Sequence, residues 1–120
     1  MSFKKLSLAI AMALLAVSAI LAKSDITFTL SKDTIETGAR VKVLFNKPLP
    51  LVEDEQYWIT IAPAETPDSW WGEWQYVKAG ATQVKLKSVW KAGKYEVRLH
   101  ARYPIKQFHV IYRLPIKVVK

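Results

Sequence analysis

From Lys94 to Ala101 the chain alternates without a break. Tyr95, Val97, Leu99 and Ala101 fall on one face, and Lys94, Glu96, Arg98 and His100 on the other. A return run follows in which Phe108, Val110, Tyr112 and Leu114 share a face. A period of two is that of a strand with one buried side, and two such runs joined around Pro104-Ile105 read as a hairpin. With the turn centred there, Leu99 faces Val110, Val97 faces Tyr112 and Tyr95 faces Leu114. All three pairs are apolar, so pattern and register agree. The same register sets Glu96 opposite Arg113 and His100 opposite His109, all pointing outward.

The period recurs upstream. Ile26, Phe28 and Leu30 share a face, and Val41, Val43 and Phe45 point inward with Arg40 and Lys42 outward. Tyr57 to Ala62 is apolar on both faces, as suits a central strand buried on one side and partly covered on the other. Trp74 to Val77 and Thr82 to Leu86 complete the set, the latter with Val84 and Leu86 inward. Turn chemistry separates these runs at Ser31-Lys32-Asp33, Thr37-Gly38 and Ala79-Gly80. Pro48 and Pro50 deny residues 46–55 ladder donors, and Pro63 to Gly72 is the longest irregular stretch after the N-terminal segment. About seven short strands at intervals of roughly ten residues predict an all-β, immunoglobulin-like antiparallel β-sandwich. Tyr95, just after Gly93 at the head of the penultimate strand, sits where a tyrosine corner belongs.

The N-terminal segment reads as an export signal, not as part of the fold. Lys4 and Lys5 precede an uncharged run from Leu6 to Leu21, and small residues follow at Val17-x-Ala19 and Ile20-x-Ala22. The run is 16 residues, short of the roughly 20 that a spanning helix needs. Cleavage is therefore expected over retention as an anchor. Residues 1–22 are assigned to the signal and 23–120 to one domain. The expected location is periplasmic or secreted, with membrane insertion only through an uncleaved signal. The chain has no Cys, so the domain must be held by its apolar core without disulfides. Of the net charge of +8, two units belong to the signal, which leaves +6 on the domain.

Four segments together are similar to a group of bacterial extracellular immunoglobulin- and fibronectin-like domains. Tyr57-Trp58-Ile59-Thr60-Ile61-Ala62-Pro63-Ala64 resembles their DWIGIYPAG segment, and Trp74-Gln75-Tyr76-Val77 their WQYV. Ala92 to Leu99 is similar to PGxYEVRLF, and Ile35 to Val43 to an opening with a Gly before an alternating strand. The resemblance spans nearly all of residues 25–118. It implies a sandwich on an exported protein and no catalytic residues. The chain departs from it at Tyr57, where the group has Asp, and at Thr60, where the group has Gly.

Three features are candidates for function. Trp70, Trp71 and Trp74 lie on or beside the long loop, where they can stack on a sugar or anchor a protein contact. Adjacent Trp residues point in different directions, so one is expected buried and one exposed. Charge is segregated: residues 53–73 hold six acids and no base, and residues 74–120 hold eleven bases and one acid. Arg98, Arg102 and Lys106 on the last hairpin are therefore expected to form a basic face for an anionic lipid headgroup, a polysaccharide or an acidic protein. His100 and His109 make at most a two-ligand site among bases, so no metal is expected there. No calcium-loop spacing, hydrolase elbow or zinc motif occurs, and no cofactor is expected. An exported chain lacking a nucleic-acid module is not expected to bind nucleic acid. The sequence thus points to a non-catalytic binding module, for a protein partner or for a carbohydrate or envelope component.

Overall fold

The structure is a computed structural model and describes residues 25–103 and 108–120, apart from the Arg102 side chain. The expected signal, residues 1–22, and Lys106 lie outside the described residues. β1 (Phe28–Leu30), β3 (Arg40–Phe45) and β6 (Gln83–Lys87) form a three-stranded antiparallel sheet in the order β1-β3-β6. β2 (Thr34–Glu36), β4 (Gln56–Pro63), β5 (Glu73–Val77), β7 (Gly93–Tyr103) and β8 (His109–Val119) form a second sheet in the order β2-β8-β7-β4-β5. The described residues contain no helix, and the architecture is an all-β, sandwich-like pair of sheets.

The core follows the sequence period. β3 buries Val41, Val43 and Phe45 and exposes Arg40, Lys42 and Leu44. These residues meet Ile59 and Ile61 of β4, Val97 and Leu99 of β7, and Ile116 and Val118 of β8 between the sheets. Each such aliphatic side chain contributes about 2 kcal/mol when buried. Phe28 meets Phe45 of its own sheet edge-on at 6.3 Å between ring centroids and Tyr112 of the facing sheet at 5.0 Å. The Tyr95 hydroxyl donates to the Lys91 carbonyl at 2.7 Å, the bond expected of a tyrosine corner.

Two details differ from the sequence expectation. The described residues form eight strands, because Thr34–Glu36 pairs in parallel with β8. Three residues are too few to show a period, yet Ile35 between them is buried. The hairpin register is also shifted. Tyr95 faces Ile116, Val97 faces Leu114 and Leu99 faces Tyr112, while Glu96 faces Pro115. A shift of two residues leaves every side chain on its own face, so alternation cannot detect it. A bulge between Leu99 and His100 then sets His100 opposite Val110 and Ala101 opposite His109.

Candidate functional site

The even-numbered residues of β4 point away from the core, which puts Trp58 on the outer face of the five-stranded sheet. The β4–β5 register sets Tyr76 opposite Trp58 and Trp74 opposite Thr60, so the three aromatic side chains share that face. Continued alternation along β7 would carry Tyr103 inward with Ala101. Instead the strand is irregular against both neighbours, and Tyr103 pairs with Gln56 beside Trp58. A bulge re-aims the side chains beyond it. Phe108, expected inward, likewise comes to the outer face. Trp71 arrives from the loop between β4 and β5.

These six side chains, Trp58, Trp71, Trp74, Tyr76, Tyr103 and Phe108, line one groove of about 270 Å³. Their rings are not a flat platform. Trp58 and Trp74 stand at 82° with centroids 6.1 Å apart, and Trp74 and Tyr76 at 80° and 5.1 Å. Tyr76 and Tyr103 meet at 52° and 6.1 Å. Only Trp71 and Phe108 are near-parallel, at 12° and 6.2 Å. Trp58 is buried as the floor, while the other five rings are between 38% and 51% exposed.

The loop carrying Trp71 is fastened over the same face from below. Arg98 is fully buried. Its Nη1 donates to the Pro67 carbonyl at 2.9 Å, and its Nη2 to the carbonyls of Thr66 at 2.7 Å and Pro63 at 3.4 Å. Its Nε donates to Glu96 Oε1 at 2.9 Å. A guanidinium suits this task because its donors fan out in one rigid plane. Thr60, also buried, accepts from the Gly72 amide at 3.0 Å and donates to the Glu73 carbonyl at 2.8 Å. Gly72 lies so close to β4 that a Cβ there would sit 2.2 Å from the Ile61 carbonyl oxygen. Thr60 is thus a loop anchor.

At the loop's outer margin Asp68 and Arg113 form a two-pronged pair at 2.9 and 3.0 Å. The hydrogen bond from Arg113 holds the Asp68 carboxyl below its usual range, burial opposing it in part. Asp68 in turn raises the Arg113 guanidinium further above its already high value. Glu96 lies between the two arginines, 3.5 Å from Arg113 Nη1.

The structure corrects several expectations about side chains. Trp70 and Trp71 are both half-exposed, at 53% and 51%, so neither is the buried member of a pair. The loop crosses a sheet face whose floor, Trp58, is already in place, so neither ring is needed to fill a core. Of the two, only Trp71 lines the groove. Trp74 falls in the groove as well. Arg98 is not part of an exposed basic face, because the loop carbonyls enclose it. His100 is buried beneath Trp58, whose ring stacks on it at 3.8 Å and 18°, and it does not face His109. The Arg102 side chain and Lys106 lie outside the described residues. Among the described residues no three His, Asp or Glu side chains come together as a metal-holding group.

Sequence reading missed Trp58, Tyr76, Tyr103 and Phe108 as groove residues. The i, i+2 spacing of Trp74 and Tyr76 was the available signal, since it puts both on one face of a strand. Nothing in the pattern marked Tyr103 or Phe108, whose placement depends on the irregularities of β7 against β4 and of β8 against β7.

No protein-family model matches this chain, and no curated protein sequence matches it. Among solved structures, it is similar to the alkylpurine DNA glycosylase AlkC of Pseudomonas fluorescens bound to DNA containing an abasic-site analogue. There the identity is 13% and the TM-score 0.43, over 79% of this chain and 30% of that one. It is also similar to the CARDB domain of the PF1109 protein of Pyrococcus furiosus in complex with di-metal ions. In that case the identity is 12% and the TM-score 0.37, over 78% of this chain and 90% of that one. The chain thus spans about a third of the glycosylase.

Proposed function

We propose that this chain is an exported, immunoglobulin-like, non-catalytic binding module that takes a protein partner in its aromatic groove, in the periplasm or at the cell surface. The strand order supports the immunoglobulin-like reading. β1-β3-β6 against β8-β7-β4-β5 matches strands A-B-E against G-F-C-C′ of that fold, and the Tyr95 corner opens the strand equivalent to F. One departure is that the Trp of β4, Trp58, faces outward and not into the core.

The observation that carries the binding role is the convergence of five part-exposed aromatic rings on a sheet face that has no core to fill. Contiguous exposed apolar surface of this kind marks interaction sites, and Trp and Tyr lead among interface hot spots. A space of about 270 Å³ suits one or two anchoring side chains, being below the roughly 300 Å³ at which small-molecule pockets begin. The steep angles between rings suit a slot for an inserted side chain.

A second reading, carbohydrate binding, is favoured by one feature, the near-parallel Trp71 and Phe108 rings. Photo-crosslinking from position 76 in the producing cell separates the two. A discrete polypeptide adduct is expected at position 76, lost on Trp74→Ala, which should cost about 2 kcal/mol of affinity, roughly 30-fold. Absence of any polypeptide adduct, with oligosaccharide-induced shifts of the Trp71 indole resonance, would favour the sugar reading instead.

A further inference from the structure

The outer face of the other sheet has a different chemistry. The β3–β6 register puts Arg40 directly opposite Lys87 and Lys42 directly opposite Lys85. All four side chains are exposed. Among the described residues none has a carboxylate within 4 Å, whereas Arg98 and Lys47 each have one and Arg113 has two. Cross-strand neighbours lie about 5 Å apart, and like charges placed opposite each other destabilise a sheet. Lysines that merely protect an edge strand need no cation opposite them, and β3 is the central strand of its sheet. A single such pair recurs at Lys94 and Lys117 on the other sheet, but here two pairs adjoin, a larger cost to the fold that an anionic partner would offset.

The shape of this plate limits the partner. Side chains two residues apart on a strand are separated by about 7 Å, so the four cations form a flat lattice of roughly 5 by 7 Å. It lies across the outer surface of a sheet and has no walls to enclose a small anion. Beside its Arg40–Lys87 end stands Trp90, 69% exposed, with Lys87 Nζ 5.7 Å from its ring centroid. The indole is fixed there by packing on Gly38, where a Cβ would sit 2.6 Å from Trp90 Cη2 and where φ is +80°. At the other end Leu44 is 37% exposed. Lysines and arginines flanked by an indole and an aliphatic side chain match the water–lipid boundary, where Trp rings settle at headgroup depth and basic side chains meet lipid phosphates.

We propose that this face, formed by Arg40, Lys42, Lys85 and Lys87 with Trp90 at its margin, lies on an anionic phospholipid surface. The contact is peripheral, separate from any insertion of the N-terminal segment and independent of what fills the aromatic groove. The test is co-sedimentation of the full chain with vesicles. All variants carry the same N-terminus, so any leader insertion contributes equally to each. Wild type is expected to bind phosphatidylglycerol-containing vesicles more tightly than pure phosphatidylcholine, and to lose that excess in salt. Lys42→Gln with Lys85→Gln should weaken binding about 25-fold, at about fivefold per cation, and Trp90→Ala should weaken it further. Lys94→Gln with Lys117→Gln removes the same charge from an exposed cross-strand pair on the other sheet and should have a much smaller effect. Removing like charges should leave the urea midpoint unchanged or higher, so lost binding is not lost folding. An equal loss from both double variants would reduce the effect to net charge and overturn the proposal. Tight binding of soluble polyphosphate with the same residue dependence, and no vesicle retention, would overturn it in favour of a soluble polyanion.

Discussion

The two outer faces of this sandwich are built from the same kind of strand and have opposite character. Around the groove of the five-stranded sheet the outward positions are aromatic, and the arginines beneath and beside it are matched. Arg98 is enclosed by carbonyls and Glu96, and Arg113 is held by Asp68. On the three-stranded sheet the outward positions are cationic and unmatched. The first face invests hydrogen bonds in positioning a loop, and its side chains lock one another. The second invests none, and its side chains repel. A sheet's core side is constrained by packing, whereas its outer side is free to carry a partner's requirements. The difference between the faces is what the two proposed partners, one apolar and shaped, one flat and anionic, would require.

The comparison can be broken most forcefully at Arg98. Arg98→Ala removes a buried cation from Glu96 and leaves three loop carbonyls without their donor. It should cost about 3 kcal/mol, read as a lower urea midpoint. Vesicle binding by the folded fraction should not change. Arg98→Lys should recover only part of the loss, because one ammonium cannot reach all four acceptors. If vesicle binding falls in step with the midpoint, the faces are not separate.

Gly72→Ala drives a methyl group against the Ile61 carbonyl and should cost about 2 kcal/mol through overpacking. It tests whether the loop's close approach fixes Trp71. The expected spectroscopic sign is freer quenching of Trp71, measured against a Trp71→Phe reference.

On the cationic face the expected sign reverses. Lys85→Glu places a carboxylate opposite Lys42 and should stabilise the domain by about 0.5 kcal/mol at low salt. The gain should shrink as ionic strength rises. Thermal unfolding at two salt concentrations measures it. A destabilised Lys85→Glu would mean that the cations are not in conflict, and the case for an anionic partner would lose its premise.

The smallest effect is set by pH. Asp68 has a depressed carboxyl in the folded protein. The stabilisation it provides is therefore present above the unfolded value, about 4, and is lost as pH falls through the lower folded value. Both side chains of the pair are about 40% exposed or more, so solvent screening limits the effect to a few tenths of a kcal/mol. Comparing the acid limb of the unfolding midpoint for wild type and Asp68→Asn isolates it, and the two should converge at low pH.

Much of the architecture was legible beforehand. β3 and β7 fall where alternation put them and β4 where a run apolar on both faces put it, and Val41, Val43, Phe45, Val97 and Leu99 are buried as their period required. Period two is a local consequence of backbone geometry, so a single sequence carries it. The Tyr95 corner was legible for the same reason, since its acceptor lies four residues away. The candidate site was half legible. Trp71 and Trp74 were marked by residue type and lie in the groove, while Arg98 was marked by charge and proved to be buried.

What the sequence determined, then, was where the longer strands lie and, up to the strand irregularities, which side of each faces the core. Tertiary structure alone decided what lies over the outer side. Charge and polarity say that Arg98 and His100 leave the core, but not that a loop from thirty residues upstream closes over the first or that Trp58 covers the second. Nor does one strand's pattern report its neighbour's: Arg40 and Lys42 meet Lys85 and Lys87 only through a register set across forty residues. The strand irregularities are of the same kind, since a single extra residue is invisible locally: the one on β8 opposite Leu99 and His100 brings Phe108 to the aromatic face, and the one on β7 between His100 and Tyr103, against β4, brings Tyr103 there. Strand pattern is fixed by neighbours in the chain, and the faces are fixed by neighbours in space.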